Sequence, residues 1–205
     1  MSSLATFQAQ KLVLKRGTRV IWDEASWTFQ GACAILGANG SGKSSTLAAL
    51  AGQVAPDAGK LTFQIEGRTI PHEEWMTSVS LAAPWVEFPR HLTLEEMLRF
   101  HGTFRASREN DLGWEALLDA SGLVVGSTVP VGQWSSGQRQ RLSLALALGT
   151  KTSAVLLDEP TSNLDSEGTR WFQGVLAAVS KQTTTIVATN DLNKEAPKAA
   201  STLTI

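Results

Sequence analysis

An apolar segment that passes directly into a glycine-rich loop places the strongest constraint on the fold of this 205-residue chain. The segment ACAIL, residues 32–36, is a continuous apolar run, which is typical of a strand covered on both faces. The loop GANGSGKS follows at 37–44, and SSTLAALAG, at 44–52, has the pattern of a helix that ends at Gly52. A strand, a tight loop and a helix in this order indicate an α/β protein.

The glycine-rich loop fits the pattern G-x-x-x-x-G-K-[ST], whose chemistry is the binding of phosphate groups. Glycines let the backbone curl so that successive N–H groups point inward, and the N-terminus of the following helix adds partial positive charge. Lys43 supplies a full positive charge, and the hydroxyl of Ser44 can serve Mg²⁺ as a ligand. The predicted phosphate-binding residues are Gly37, Ala38, Asn39, Gly40, Ser41, Gly42, Lys43, Ser44 and Ser45.

Two acidic residues end a second apolar strand, AVLLD at 154–158. A phosphate loop needs an acidic partner for its metal ion, and such a partner belongs at the end of a buried strand. Side chains alternate direction along a strand, so we expect Asp158 to hold the Mg²⁺ shell and Glu159 to face the γ-phosphate. There, Glu159 would polarise the attacking water.

The remaining patterns predict one folded domain over residues 1–205. Alternating apolar and polar residues in the first thirty positions predict an antiparallel sheet, and 60–70 predicts a further hairpin. The stretch from about 84 to 149 is helical in pattern and is predicted to be an inserted subdomain. A helix at 166–180 between two apolar strands implies that those strands pair in parallel, and 201–205 predicts an edge strand.

Composition and charge exclude several classes of function. Eighteen Lys and Arg against nineteen Asp and Glu, with no run of five like charges, argue against a nucleic-acid partner. No stretch approaches the roughly 20 apolar residues that a membrane helix needs. The N-terminus lacks a signal-peptide pattern, so we expect a cytoplasmic protein. The single cysteine, Cys33, is predicted to be a small core residue.

Two more segments complete a set of four motifs. In WSSGQRQRLSLALALG, 134–149, two serines and a glycine stand at the start of a helix whose exposed N–H groups can bind an anion. SNLD, 162–165, follows LLDEP closely. The order GANGSGKS, WSSGQ, LLDEP, SNLD resembles the ATP-binding subunit of ATP-binding-cassette (ABC) transporters, of the small single-domain type. The resemblance covers nearly the whole chain.

The resemblance implies a P-loop NTPase core with a mixed sheet, an N-terminal antiparallel β-subdomain and an inserted α-helical subdomain. It implies ATP and Mg²⁺ as cofactors, and a head-to-tail dimer with a second ATP-binding subunit, so that two ATP molecules lie between phosphate loops and signature helices. Asp165 matches the last position of the loop that communicates across that dimer. The residues that match the family's signature are Ser135, Gly137 and Gln138.

The resemblance also implies a membrane-spanning transporter subunit as partner and a peripheral position on the cytoplasmic face of the membrane. HLTLEEML, 91–98, is similar to the start of the helical subdomain that meets this partner. Trp85 and Trp134 are candidates for the groove that receives it. The other five tryptophans are predicted to pack in the core and not to stack on nucleic acid, and they are Trp22, Trp27, Trp75, Trp114 and Trp171.

In the signature, Trp134 replaces the family's Leu and Ser136 its first Gly. Three further positions depart from the family's pattern. Arg16 stands about where the family has an aromatic residue that stacks on adenine, and a guanidinium plane can also stack on a base. Pro84 stands in the place of a glutamine and has no side-chain amide to contact a metal ion. Asn190 replaces the histidine at the γ-phosphate; it can donate a hydrogen bond but cannot carry positive charge.

Two functions stay open at this stage. The first is an ATPase that powers transport, with Glu159 and Asn190 as catalytic residues and slow turnover. The second is an ATP-gated dimerisation or regulatory module with negligible turnover, in or out of a transporter. A GTPase is not supported, because NKEA at 193–196 lacks the aspartate of a guanine-reading N-K-x-D motif.

Overall fold

The computed structural model describes residues 4–123, 126 and 128–205. Within these ranges the chain forms an α/β fold with two sheets and helices packed against them. The strands are β1 Thr6–Arg16, β2 Arg19–Gln30, β3 Ala32–Leu36, β4 Ala58–Ile65, β5 Arg68–Thr69, β6 Val79–Ala82, β7 Ala154–Asp158, β8 Thr184–Thr189 and β9 Ser201–Thr204. The helices are α1 Lys43–Leu50, α2 Trp75–Ser78, α3 Leu94–Phe104, α4 Trp114–Ala120, α5 Ser136–Gly149, α6 Ser166–Val179 and α7 Leu192–Glu195.

The five-stranded sheet is parallel and runs in the order β6-β7-β8-β3-β9. All residues of β7 and β8 are buried, because the sheet lies between two apolar clusters. Val155 and Leu157 face the cluster that contains α5 and α6, whereas Ala154 and Leu156 face the cluster beneath α1. This two-sided burial explains the continuous apolar runs. The predicted parallel pairing of β7 with β8 and the predicted edge position of β9 are confirmed.

The four-stranded sheet is antiparallel and runs in the order β2-β1-β4-β5, as the alternating N-terminal pattern predicts. Its buried face packs against the cluster beneath α1 through aromatic rings. The rings of Phe7 and Phe63 stack at a centroid distance of 4.3 Å, and the ring of Trp75 meets Phe63 edge-on at 5.7 Å. Parallel and antiparallel pairing are thus divided between two sheets that share one core.

The stretch 84–149 contains α3, α4 and α5. Thr93 and Glu96 form the capping box that starts α3, as predicted. Residues 144–149 of α5 are all buried, and α5 contacts β6 and β7 as well as α4 and α6. The second half of α5 therefore belongs to the central core. The division of 84–149 as an inserted subdomain stays a prediction.

Most tryptophans lie where the sequence predicts. Trp22, Trp75 and Trp114 are buried, and two others, Trp27 and Trp171, are half-buried against the core. Trp134 corrects the prediction of a groove residue: it is 3% exposed, and its indole N–H donates to the carbonyl of Val129 at 3.1 Å. A large side chain that buries its ring and pairs its one donor is a core residue.

Cys33 is buried in β3, as predicted, and burial raises the pKa of its thiol. A raised pKa lowers the thiolate fraction at neutral pH, so this cysteine is a core residue and not a reactive one. Among the helices of the described residues, none combines the length and the apolar character that crossing a bilayer requires.

Two glycines in left-handed conformations provide a test of the antiparallel sheet. Gly59 has φ +80°, and a Cβ there would lie 2.0 Å from the carbonyl oxygen of Lys11, at a register shift between β1 and β4. Gly67 has φ +77° but open space around it. We expect Gly67→Ala to cost about 1 kcal/mol through backbone strain and Gly59→Ala about 3 kcal/mol or more.

Thermal unfolding followed by circular dichroism measures both substitutions. For a chain of this size 1 kcal/mol corresponds to roughly 2–4 °C in Tm, so the two variants should differ clearly. Equal losses would contradict the close approach of Gly59 to β1.

Candidate functional site

The carboxyl ends of three neighbouring strands bring the predicted motifs together. Leu36, the last residue of β3, pairs with Thr189 at the end of β8, and Asp158 of β7 pairs with Ala188. The strands thus end within one residue of each other. The loops that follow β3, β7 and β8 carry the phosphate loop, Glu159 and Asn190, so that all three leave the sheet at the same edge.

The phosphate loop is curled tightly against β2. Gly42 has φ +119°, and a Cβ on it would lie 2.5 Å from Cγ2 of Ile21. A Cβ on Gly37 would lie 2.4 Å from Oγ of Ser41. Gly42 requires glycine because of its backbone conformation and this close contact, whereas a side chain at Gly37 would force Ser41 to move. Gly42 is the N-cap residue of α1 and has no side chain to cap it. The first N–H groups of this helix therefore face the loop without a side-chain acceptor from Gly42.

Lys43 provides the positive charge at the centre of this loop. Its ammonium group donates hydrogen bonds to the carbonyl oxygens of Gly37 at 2.8 Å and Ala38 at 3.2 Å, which close the loop. The same nitrogen lies 3.5 Å from Oε1 of Glu159, and the lysine side chain is 4% exposed. A cation that is this buried interacts strongly with any anion placed beside it.

Ser44 and Asp158, the two predicted metal ligands, are joined directly by a hydrogen bond. The hydroxyl of Ser44 donates to Oδ2 of Asp158 at 2.6 Å. Oδ1 of Asp158 is buried and has no hydrogen-bond partner among the described residues. Burial raises the pKa of Asp158, the Ser44 hydroxyl opposes this rise, and the charge of Glu159 adds to it. A hydroxyl and an unpaired carboxylate oxygen are hard donors, which fit Mg²⁺.

Glu159 follows β7 in an unusual backbone conformation. Its φ is +44°, in the left-handed region, and its N–H donates to the carbonyl of Ala188 at 2.9 Å. This turn directs the carboxylate toward Lys43 and leaves the side chain 32% exposed. Non-glycine residues hold such a conformation only where neighbouring contacts fix it. The conformation distinguishes Glu159 from Asp158, which keeps its strand geometry.

Asn190 contacts the phosphate loop. Its side-chain amide donates to Oδ1 of Asn39 at 3.3 Å, and Asn39 lies between Gly37 and Gly40 in the loop. Asn190 is exposed on its other side. The predicted contact of Asn190 with a γ-phosphate stays a prediction, and its position beside the loop is compatible with it.

The predicted signature residues form the first turn of α5. Ser135 and Gln138 cap each other: the N–H of Ser135 donates to Oε1 of Gln138 at 2.8 Å, and the N–H of Gln138 donates to Oγ of Ser135 at 3.1 Å. A Cβ on Gly137 would lie 3.0 Å from the carbonyl oxygen of Asn163. The start of α5 is therefore packed against the segment that follows β7. Contact of this turn with the nucleotide of a second subunit stays a prediction.

Asp165 has two partners within its own chain. Its carboxylate accepts the N–H of Gly168 at 2.7 Å, which caps α6, and it accepts Arg141 of α5 at 2.8 and 3.0 Å. The Gly168 N–H and, to a smaller extent, the Arg141 guanidinium lower the pKa of Asp165. The Asp165 side chain is 64% exposed. Its predicted role in communication across a dimer stays a prediction.

A cavity of about 370 Å³ lies beside the phosphate loop and is a candidate for the base of a nucleotide. Arg16 lines it at the end of β1, and Ser44 and Ser45 line it at the start of α1. Trp85 also lines this cavity; its indole N–H donates to Oε1 of Gln53 at 3.4 Å, and the residue is 40% exposed. The predicted place of Trp85 in the groove for a membrane partner stays a prediction. Pro84 and Phe88 line a separate groove with Arg139 of α5.

Two residues in this region were not predicted from the sequence. Arg19 of β2 donates to the carbonyl of Gly40 and so fastens the tip of the phosphate loop. Glu195 of α7 accepts both the N–H and the hydroxyl of Thr161, just beyond Glu159. Neither residue belongs to a motif, and each acts across a long separation in the chain. Only the pairing of distant elements reveals them.

The comparisons with known proteins agree with this geometry. The sequence model of the ABC transporter family matches residues 23–162. The chain is 33% identical over 177 residues to the cytochrome c biogenesis ATP-binding export protein CcmA of Paramagnetospirillum magneticum, which covers 84% of this chain and 82% of that protein. It is 33% identical over 170 residues to the lipoprotein-releasing system ATP-binding protein LolD of Saccharophagus degradans, which covers 78% and 74%.

Solved structures show the same fold. A putative ABC transporter ATP-binding protein from Pyrococcus furiosus superimposes with a TM-score of 0.79 at 16% identity, over 97% of this chain and 96% of that one. The ATP-binding subunit of another ABC transporter gives a TM-score of 0.83 at 19% identity, over 97% and 85%. The family match, the curated relatives and the phosphate-loop geometry together show that this chain belongs to the ABC transporter family, as one of its ATP-binding subunits.

Proposed function

We propose that this protein hydrolyses ATP with Mg²⁺ and uses the ATP cycle to power a separate membrane-spanning subunit. Proteins of this family are generally ATPases that bind ATP with Mg²⁺ and work with membrane subunits of transporters. The observation that carries the proposal is the four-residue centre at the end of β3 and β7. There, Ser44 lies 2.6 Å from Asp158, and the ammonium of Lys43 lies 3.5 Å from the carboxylate of Glu159.

Phosphate binding falls to the loop and to Lys43. The N–H groups at the start of α1 and within the loop are donors for phosphate oxygens, and the glycines permit the close approach. The Lys43 ammonium, now bonded to two loop carbonyls, neutralises charge on the β- and γ-phosphates. A buried ammonium is suited to this task because it has little water to lose.

Metal binding falls to Ser44 and Asp158. Their oxygens are of the kind that Mg²⁺ prefers, and the unpaired Oδ1 of Asp158 is available as a donor. When bound, the metal supplies positive charge that stabilises the phosphate oxygens during transfer. Asp158 stays at the end of β7, where its Oδ2 accepts the hydroxyl of Ser44.

Glu159 is the proposed general base. Its turn separates it from Asp158, so two adjacent carboxylates have different tasks: one holds the metal and the other accepts hydrogen bonds from the attacking water. Asn190, beside Asn39, is the proposed donor to the γ-phosphate. An amide cannot take or deliver a proton at neutral pH, so we propose that hydrolysis is slow.

Two copies of the chain would form the working unit, head to tail, with ATP between the phosphate loop of one copy and the first turn of α5 of the other. The exposed side chain of Asp165 supports this arrangement. The names of the two curated relatives, an export protein and a lipoprotein-releasing protein, favour export as the process. We place the unit on the cytoplasmic face of the membrane.

A second candidate function is an ATP-gated dimer with negligible turnover. The observation that favours it is the amide of Asn190, which already bonds to Asn39 within the phosphate loop and brings no charge to the γ-phosphate. Dimerisation without hydrolysis would then be the output.

Steady-state hydrolysis of ATP separates the two functions. We expect the wild type to turn over slowly with Mg²⁺, Glu159→Gln to lower kcat by roughly 10²-fold or more, and Asn190→His to raise it. Glu73→Gln, at an exposed site outside the centre, is the matched control and should leave kcat unchanged. Wild-type protein that forms an ATP-dependent dimer in size-exclusion chromatography without turnover would favour the second function. No binding of ATP would exclude both.

Nucleotide affinity tests the base cavity. Because stacking on a base is worth about 1–3 kcal/mol, we expect Arg16→Ala and Trp85→Ala each to weaken ATP binding roughly 5- to 100-fold. Inorganic tripolyphosphate has no base, so its affinity should change little. Isothermal titration measures both ligands, with Arg68→Ala on exposed β5 as the control. Equal losses for ATP and tripolyphosphate would contradict a base site in this cavity.

Asp158→Asn should stabilise the nucleotide-free protein while it removes function. Burial raises the pKa of Asp158 above that of the unfolded chain, so the folded state binds this proton more tightly and the ionised form lowers stability. We expect a Tm about 2–4 °C higher at pH 7 without metal, and a smaller difference at pH 5. Asp23→Asn, on exposed β2, should show neither effect. A lower Tm would contradict this account.

A further inference from the structure

The turn that carries Glu159 is held from two sides by other elements. From α5, the side-chain amide of Gln140 donates to the carbonyl of Pro160 at 2.7 Å. From α7, Oε1 of Glu195 accepts the N–H of Thr161 at 2.8 Å and its hydroxyl at 2.7 Å. The backbone N–H of Ser162 closes the turn onto the carbonyl of Glu159 at 3.1 Å. Such external contacts are what a left-handed glutamate requires.

The buried carboxylate of Glu195 lowers the stability of the fold. The residue is 4% exposed, and its second oxygen, Oε2, is buried without a hydrogen-bond partner among the described residues. A buried carboxyl oxygen without a donor destabilises the folded state. The fold therefore keeps an acceptor at this place despite a cost in stability.

The position of Glu195 in the chain connects it with Asn190. The helix α7 begins two residues after Asn190, and Asp191 caps it by accepting the N–H of Lys194 at 3.1 Å. This short helix thus has Asn190 and its bond to the phosphate loop at one end, and Glu195 with its two bonds to Thr161 at the other. Glu195 is also near the metal centre: after the larger effects of burial and Glu159, its charge raises the pKa of Asp158.

We propose that Glu195 is a positioning residue for Glu159: it fixes Thr161, and thereby the turn that directs the Glu159 carboxylate toward Lys43. The inference rests on the proposed ATPase function. Glu195 touches neither nucleotide nor water in this role. The removal of its acceptor should therefore lower kcat and leave the affinity for ATP almost unchanged.

The substitutions separate acceptance of hydrogen bonds from bulk. Glu195→Gln keeps an oxygen for both Thr161 donors and should retain kcat within about threefold. Glu195→Ala removes the acceptor and should lower kcat roughly 10- to 100-fold, because a small misplacement of the base is costly, with KM within about twofold. Thr161→Val removes one donor and keeps the N–H, so its loss should be smaller. The double variant should be no slower than Glu195→Ala alone, since both act through one contact.

A control and a second measurement keep a structural effect apart from a positioning effect. Gln173→Ala removes a bond of 2.7 Å from the Gln173 amide to the carbonyl of Lys194 on the exposed side of α7, and it should leave kcat unchanged. Amide hydrogen exchange in the nucleotide-free protein reports the Thr161 N–H directly. Its exchange should be faster in Glu195→Ala than in the wild type and Glu195→Gln, whereas exchange in β3 and β8 should stay the same.

The outcomes are distinct. Wild-type turnover that Glu195→Ala leaves unchanged, or a Thr161 amide that exchanges equally in both, overturns the inference alone. A wild type without turnover overturns the proposed function and this inference with it. If Glu195→Ala does not fold, Thr161→Val decides: an unchanged kcat overturns the inference, and a lower kcat at constant KM supports it.

Discussion

The register of the parallel sheet is the constraint on which the site depends. Leu36 lies beside Thr189, and Asp158 lies beside Ala188, so β3, β7 and β8 end together at one edge. A shift of one residue in any of these pairs would exchange the side chains that face the two apolar clusters and move the loops apart by about 3 Å. The apolar clusters on both faces of the sheet prevent such a shift. Packing in the core thereby fixes the relative positions of the loops that follow β3, β7 and β8.

Several residues of the candidate site have conformations or unpaired atoms that lower the stability of the fold. Lys43 is nearly buried and is satisfied by carbonyls of its own loop, while Asp158 is buried with one oxygen unpaired among the described residues. Glu159 adds a left-handed backbone conformation. The unpaired oxygen of Asp158 and the conformation of Glu159 each lower the free energy of unfolding. Both residues belong to the proposed metal and water sites. The fully buried strands β7 and β8 supply the stability that offsets this strain and incomplete hydrogen bonding at their carboxyl ends.

Local patterns predicted the parts of the site that depend on neighbouring residues. The glycine spacing and the placement of Asp158 after four buried residues were sufficient to find the loop and the acidic pair. Contacts between distant elements cannot be predicted from local patterns. No residue near Glu195 in the sequence indicates its contact with Thr161. The prediction of a groove position for Trp134 is wrong because the sequence alone does not distinguish a buried tryptophan ring from an exposed one.

The first two turns of α5 contact the segment that follows β7 in the same chain. Gln140 bonds to Pro160, Arg141 bonds to Asp165, and Gly137 packs on Asn163. A ligand at the start of α5 that prefers one position of this helix will therefore alter the free energy of the segment after β7. By thermodynamic reciprocity, a change at that segment alters the affinity at the start of α5 by the same factor. The contacts thus connect the start of α5 with the segment that carries the proposed general base.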